Sequence, residues 1–369
     1  MSNSQLPLTN NAAHTPPPNQ PKTMLPTPQK SQLNPIWQAR LKRFRNNRLG
    51  VISLIVFTLV FVVCMAANVI ANDKPLIVQY DGAYYFPVVK AYPETTFGGI
   101  FETETNYKDP AVQTLINSQG YYVMPPIPFA DQTPNVELGI PYPAAPNSQN
   151  WLGTDDMGRD VLARILYGLR VSLLFGLALT IAGALIGIIV GAIQGYYGGW
   201  IDLAGQRFME VWGGMPQLFM IIILVSLFSP NITVLFAMML LFGWMGLVGL
   251  VRAEFLRARN FDYVRAARNL GVSDGQIMLR HILPNALASS LSQLPFILTA
   301  NIIALTSLDF LGYGLPPGSP SLGELMVQGK NNLDAPWLAL SGFFSLTLVL
   351  SLLIFIGEAL RDAFDPRRS

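Results

Sequence analysis

Long apolar runs alternate with polar segments along this chain of 369 residues, and six of the runs are candidates for membrane-spanning helices. A bilayer core about 30 Å thick is crossed by about 20 helical residues. The runs that approach or exceed this length are 50–71, 168–195, 215–230, 232–252, 286–311 and 338–360. The third run is the shortest and lies close to the fourth. The pattern therefore predicts an all-α polytopic membrane protein with six transmembrane helices.

The polar segment before the first span has two parts of different composition. Residues 1–34 are rich in Pro, Asn, Gln, Ser and Thr and contain few apolar residues, which predicts a disordered tail. Residues 35–49 instead place Trp37, Leu41 and Phe44 at helical spacing beside several arginines. This second pattern is typical of an amphipathic helix that lies on an anionic membrane surface.

A long segment, residues 72–165, separates the first two spans. It contains clusters of Tyr, Phe, Val and Thr between Pro and Gly residues, which predict a small, irregular and partly β domain. A disordered spacer is the alternative, and the high aromatic content argues against it. Residues 166–369 then form the membrane core.

The distribution of charge predicts the orientation of the spans. Only 12% of the residues are charged and 51% are hydrophobic, as is typical of a membrane protein. If the N-terminus lies inside, 17 of the 24 Lys and Arg residues fall in inner segments and 7 fall in outer segments. Because cytoplasmic segments are enriched in Lys and Arg, we expect cytoplasmic termini and a periplasmic insertion at 72–165.

Several classes of chemistry are excluded by the residue types. The chain has one cysteine, Cys64, and two histidines, so it has no disulfide framework and no Cys- or His-based metal site. It contains no G-x-x-x-x-G-K-[ST], H-E-x-x-H or G-x-S-x-G motif. We therefore expect a protein that is not an enzyme, does not hydrolyse ATP itself and needs no cofactor.

Four acidic residues lie within or beside the predicted spans: Glu210, Glu254, Asp309 and Glu358. All four are near the ends of their segments, where water or lipid headgroups can solvate them. A proton-coupled secondary transporter needs acids near the middle of the bilayer. This pattern argues against that class of transporter.

Four glycines recur at every fourth position in the second span, at Gly183, Gly187, Gly191 and Gly195. On a helix they share one face, where another helix backbone can approach closely. We therefore favour tight helix packing as their role, and a face that lines the substrate path is the alternative.

Residues 262–285 form a polar island between the fourth and fifth spans. The ten residues before Gly271 contain neither Gly nor Pro, which predicts a short helix that Gly271 stops. Ser273 is expected to cap a second short helix, and Pro284 is expected to end it.

The island offers small and basic side chains to its surroundings. Ala266 and Ala267 would keep its surface low enough to fit a partner's groove, and Arg265 and Arg268 would offer charge-assisted contacts. A basic loop attracted to anionic lipid is the alternative, and the composition alone does not separate the two.

The spacing A-A-x-x-x-G followed by Leu283 and Pro284 resembles the EAA loop of ABC importer permeases. In that family the loop inserts into a cleft of a cytoplasmic ATP-binding subunit and transmits its motion. Arg265 stands where many members have Glu, and His281 stands where Ile is usual. The resemblance implies a coupling loop at 261–284. Its candidate residues are Asp262, Arg265, Ala266, Ala267, Gly271, His281, Leu283 and Pro284.

Five further stretches resemble the C-type permease of the peptide and nickel importer family. They are WLGTDDMGRDVLARILYGLRVSL (151–173), GYYGGWID (195–202), RHILPN (280–285), FLGYGLPPGSPSLGELM (310–326) and GEALRDAFDPR (357–367). The long outer segment resembles the subtype linked to oligopeptides and microcin C type peptides.

This resemblance implies a type I ABC importer permease in the bacterial cytoplasmic (inner) membrane. The implied partners are two cytoplasmic ABC ATPase subunits or one fused ATPase, a second homologous permease, an extracytoplasmic substrate-binding protein and a peptide substrate, with no nucleic acid. A different cargo, such as nickel or haem, is one alternative. A membrane scaffold or sensor that uses the loop to bind a cytoplasmic protein is another.

The resemblance also implies an outer face on which a loaded binding protein docks. Its candidate contacts are Trp151, Asp155, Arg159, Asp160, Gly314 and Pro316. The alternative for GTDDMGRD is a self-contained turn, with Asp156 or Asp160 bonding nearby amides and Arg159. For the glycine-rich LGYGLPPGSP, a shaped connector is favoured over a ligand site.

Overall fold

The computed structural model describes residues 35–228 and 231–364. The chain divides into two units, Met1–Ala39 and Arg40–Ser369. Of the first unit only the helical residues 35–39 are described, so the predicted tail at 1–34 lies outside the described residues.

Helices dominate the described residues, which confirms the predicted fold class. The helices before the long second span are α1 (Pro35–Asn46), α2 (Arg48–Met65), α3 (Ala67–Ile70) and α4 (Pro110–Gln119). The next are α5 (Val161–Tyr197), α6 (Gly199–Gly213), α7 (Gln217–Ser226), α8 (Ile232–Gly243), α9 (Val248–Ala258) and α10 (Asp262–Asn269). The last are α11 (Asp274–Gln276), α12 (Leu283–Leu291), α13 (Leu294–Phe310), α14 (Leu322–Asn331) and α15 (Pro336–Phe364).

Four helical segments are each long and apolar enough to cross a membrane: α2, α5, the continuous Ile232–Ala258, and α15. Two further segments are bent pairs, α6 with α7 at 72° and Asp274–Leu291 with α13 at 55°. If each bent pair is one span, the described residues contain six, the number that the hydropathy pattern predicts.

The span boundaries differ from the prediction at two places. The first run, 50–71, is interrupted at Ala66, where α2 ends and the short α3 follows. The second span begins at Val161 instead of 168, inside the predicted insertion, because Asp160 caps it by accepting a 2.7 Å hydrogen bond from the Ala163 amide. At 37 residues, or about 55 Å, α5 is longer than the hydrocarbon core is thick.

The insertion between the first two spans has its own small core. Strands β1 (Ile77–Tyr80), β2 (Ala83–Tyr85) and β3 (Gly120–Val123) form an antiparallel sheet in the order β2-β1-β3. Its buried core residues are Val78, Phe97, Tyr107, Val112 and Ile116. The partly β domain is confirmed, and the alternative of a spacer without structure is wrong for the described residues.

Candidate functional site

The first half of the 261–284 loop ends in a glycine cap. Gly271 has a φ of +80°, and its N–H donates to the Arg268 carbonyl at 3.0 Å. The Val272 N–H donates to the Ala267 carbonyl at 3.1 Å. These paired bonds satisfy the last carbonyls of α10 in the manner of a Schellman motif. The helix stops where Gly271 predicts that it stops.

The second half of the loop differs from the prediction. Ser273 lies at the N-cap position of α11, but its side chain makes no capping hydrogen bond. Pro284 does not end the helix: a π-helical stretch, Ile277–Ile282, leads directly into α12, and Pro284 lies in the first turn of α12. The wider π turns shift the hydrogen-bond pattern just where proline has no N–H to donate.

The inner face of the loop is fixed on the chain's own core. Val264, Ala267, Ile277 and Ile282 are buried in one cluster with residues of α5, α9 and α12. The Ala267 side chain is 8% exposed and packs inward, so Ala267 contributes to the core of the chain and little to the outer surface of the loop. Ala266, one position earlier, is exposed.

Tyr196, at the end of α5, connects the two halves of the loop. Its hydroxyl donates to Asp274 Oδ1 at 2.5 Å and accepts from Arg268 Nη2 at 3.0 Å. The Arg268 guanidinium also lies 5.4 Å from the centre of the Tyr196 ring. Arg268 therefore contacts a residue of its own chain. The hydrogen bonds that Tyr196 makes to Arg268 and Asp274 were not predicted from the loop sequence.

The outer face of the loop carries side chains that the core does not use. Leu270 is 83% exposed, and Leu279 and Tyr263 are also exposed. Arg265 is exposed and makes no ion pair within residues 35–228 and 231–364. Of the remaining candidates, Asp262 and Pro284 are exposed, and His281 and Leu283 are half-buried. Among the described residues, the loop therefore presents exposed apolar side chains and an arginine without an ion pair to its surroundings.

The four-glycine face of α5 packs against the segment Ile232–Ala258 of the same chain, which is the fourth span when each bent pair counts as one. A Cβ atom added at Gly187 would lie 2.5 Å from the Trp244 carbonyl oxygen, and one at Gly195 would lie 2.5 Å from that of Arg252. Gly191 and Gly183 face the carbonyls of Val248 and Gly243. The chain's own backbone therefore covers the whole face.

We expect Gly187→Ala to destabilise the protein by about 1–3 kcal/mol, because the added methyl overpacks a backbone contact. Gly249→Ala is the matched control, since no atom of the described part of the chain lies within 4 Å of a Cβ added there and alanine favours the helix. Thermal unfolding of the full chain in detergent, followed by circular dichroism, measures both. Equal melting temperatures for the two variants would contradict the packing role.

On the opposite side of the spans, GTDDMGRD forms a turn held by its own side chains. The Asp155 carboxylate accepts from the Arg159 Nε at 2.7 Å and from the amides of Met157 and Arg159 at 3.0 and 2.9 Å. Asp160 accepts from the Asn150 side chain at 2.8 Å as well as capping α5. Burial raises the pKa of the Asp160 carboxyl, and these hydrogen bonds act in the opposite direction.

The turn favours the alternative interpretation over direct docking. Asp155, Arg159 and Asp160 are all buried, which is inconsistent with contact to a binding protein in this conformation. Trp151 is 58% exposed and stays a candidate contact. In this turn Asp155, and not Asp156, makes the expected hydrogen bonds to nearby amides and to the Arg159 side chain.

The loop after α13 is likewise held by hydrogen bonds to a side chain of its own chain, Asp309. Asp309 accepts from the Leu315 amide and from the Ser321 hydroxyl, both at 2.6 Å. Gly314 is buried against Asp309, while Pro316 is half-buried. The loop therefore has the character of a shaped connector.

Arg164 and Glu324, which were not predicted to have a role, join these segments through an ion pair. Arg164, 0% exposed, lies 2.8 Å from the Glu324 carboxylate and donates to the carbonyls of Asp131 and Ser319, both at 3.1 Å. Arg159 reaches the same Glu324 at 3.2 Å. The signal in the sequence was an arginine, Arg164, one turn inside an apolar run.

The profile of the family described as "binding-protein-dependent transport system inner membrane component" matches residues 183–369. A second profile, "N-terminal TM domain of oligopeptide transport permease C", matches residues 36–87. The second match covers α2, and the first contains the 261–284 loop.

Individual relatives match over most of their length. The inner membrane ABC transporter permease protein YejE of Escherichia coli K12 is 57% identical over 92% of this chain and 99% of the relative. The peptidoglycan transport system permease protein YejE of Agrobacterium fabrum is 50% identical over 93% and 96%. The oligopeptide transport system permease protein OppC of Haemophilus influenzae is 39% identical over 61% and 73%. This chain belongs to the family of inner membrane components of binding-protein-dependent transport systems.

Proposed function

We propose that the chain is a permease subunit of an ATP-binding cassette importer that carries peptides or peptide-like compounds across the bacterial cytoplasmic membrane. Relatives named for oligopeptide and peptidoglycan transport support this cargo class. The observation that carries the proposal is the 261–284 loop, whose inner face is fixed on the chain's own core while Arg265, Ala266 and Leu270 face outward.

In this proposal the loop transmits motion from a cytoplasmic ATPase to the spans. Tyr196 holds both halves of the loop to the end of α5. The glycine face of α5 is in backbone contact with α9, so a displacement of the loop would move both helices together. The free energy comes from ATP hydrolysis in the partner, and this chain supplies two arrangements between which that energy selects.

The proposed assembly contains two ATPase subunits or one fused ATPase, a second homologous permease and an external binding protein. The binding protein would dock on the outer face near Trp151 and the 312–324 loop. Asp155, Arg159 and Asp160 would support this face from beneath, since all three are buried.

Reconstitution in liposomes with the co-purifying ATPases and binding protein tests the function. We expect a dipeptide or penta-alanine to raise ATP hydrolysis several-fold in the presence of the binding protein, and nickel or haem to leave it unchanged. If only nickel or haem stimulated ATP hydrolysis, that compound and not a peptide would be the cargo. No stimulation by any cargo would favour a scaffold or sensor.

We further propose that both termini and the 261–284 loop are cytoplasmic, as the charge bias supports. Arg265→Cys should then react with a membrane-impermeant maleimide only after the cells are opened. Val89→Cys, in an exposed part of the insertion, should react in intact cells. The natural Cys64 is buried, which keeps background labelling low. Rapid labelling of Arg265→Cys in intact cells would reverse the orientation.

A further inference from the structure

A cleft of about 720 Å³ lies in the insertion, apart from the loop and the glycine face. Three segments form it: the start of α4, the proline-rich stretch 124–136, and 148–151. Ligand sites in proteins are typically about 300–1,000 Å³. The cleft is thus large enough for several residues of an extended chain.

One wall of the cleft is apolar and rigid. Pro126, Pro128, Pro134 and the Phe129 ring line it, and Trp151 stands exposed at its edge. Ligand sites in proteins are lined mainly by apolar and aromatic side chains, with a few polar groups that fix the ligand's orientation. Phe129 also packs on Ala71 and Ala163, so the floor of the cleft rests directly on the first turn of α5.

The facing wall carries amide side chains, each held at one end by the protein. Gln113 donates its Nε2 to the Tyr107 carbonyl at 3.0 Å. Asn106 accepts at Oδ1 from the Lys108 amide at 3.1 Å, and Gln149 accepts at Oε1 from the Asn135 side chain at 3.1 Å. Among the described residues no further hydrogen bond engages their other ends, which leaves one acceptor, Gln113 Oε1, and two donors.

These free groups match the chemistry of a peptide backbone, which alternates carbonyl acceptors and N–H donors. The charges are balanced as well, with Lys108 lying 3.7 Å over the Phe129 ring and Asp109 capping α4. A strongly charged ligand of one sign is therefore not favoured. We infer that the cleft binds an extended segment of the peptide cargo at the outer face, an inference that rests on the proposed function.

Equilibrium dialysis of radiolabelled penta-alanine against the assembled importer in lipid nanodiscs, without binding protein, tests this inference. We expect the wild type to bind penta-alanine, and Ser148→Trp, which fills the cleft from an exposed position, to weaken binding at least tenfold. Gln113→Leu should also weaken binding, by removing the free acceptor. Matched controls on α4 away from the cleft, Ser118→Trp and Gln119→Leu, should bind as the wild type does.

Three outcomes would overturn the inference. One is no penta-alanine binding to the wild type, and another is equal binding by all variants. The third is a Ser148→Trp variant that still binds peptide but no longer associates with the binding protein. That result would mean that the binding protein, and not the peptide, occupies the cleft. Peptide-stimulated ATP hydrolysis with binding protein present is scored separately. Stimulation without cleft binding rejects this inference alone, and cleft binding without stimulation rejects the proposed function.

Discussion

Replacing Arg164 with leucine is expected to lower the stability of the protein by about 3–5 kcal/mol, the range for removing one partner of a buried ion pair. The guanidinium is fully buried and serves Glu324 and two carbonyl groups on separate segments. Without it, both carbonyls lose a buried charged donor, and Asp155, which lies 3.4 Å from Arg164 Nε, and Glu324 keep Arg159 as their cationic partner. The connection between α5, α14 and the insertion would weaken at the same point.

Thermal unfolding of the full chain in detergent measures this effect, with an expected fall in melting temperature of about 10 °C. Arg170→Leu is the matched control on the same helix, because within residues 35–228 and 231–364 Arg170 makes a single hydrogen bond, to the exposed Asn68 side chain at 3.0 Å. We expect that control to change stability by less than about 1 kcal/mol. Adding Glu324→Leu to Arg164→Leu should recover part of the loss, and a fully additive double variant would argue against a coupled cluster.

The features that depend on local geometry were predictable from the sequence. The spans follow from runs of apolar residues, and the end of α10 follows from Gly271, whose positive φ favours glycine. The inward direction of Ala267 was also readable, since it lies three residues after Val264 and shares its helix face. The apolar content of α10 is low, which made that face easy to overlook.

The features that depend on distant pairs were not predictable. Arg164 and Glu324 are 160 positions apart, and their contact exists only because α5 and α14 pack against each other. Tyr196 and Asp274 are 78 positions apart. The cleft in the insertion likewise requires three separate segments to converge. One sequence contains no signal that pairs such residues.

Gly271→Pro is expected to abolish peptide uptake, because the substitution disrupts the geometry of the 261–284 loop. Proline holds φ near −65°, whereas Gly271 has a φ of +80°, and proline also removes the N–H that bonds the Arg268 carbonyl. The combined cost is about 3 kcal/mol or more, which is enough to unwind the end of α10 and release Arg268 from Tyr196.

Membrane insertion should persist in Gly271→Pro, because the spans keep their apolar runs, while peptide-stimulated ATP hydrolysis and uptake in liposomes should fall to background. Gly275→Pro is the matched control, because Gly275 lies in the first turn of α11, where proline is tolerated. Among the described residues, no atom outside its chain neighbours lies within 4 Å of a Cβ added at Gly275. That variant should transport peptides at near wild-type rates. Normal uptake by Gly271→Pro would mean that the ATPase acts on the spans through a contact other than this loop.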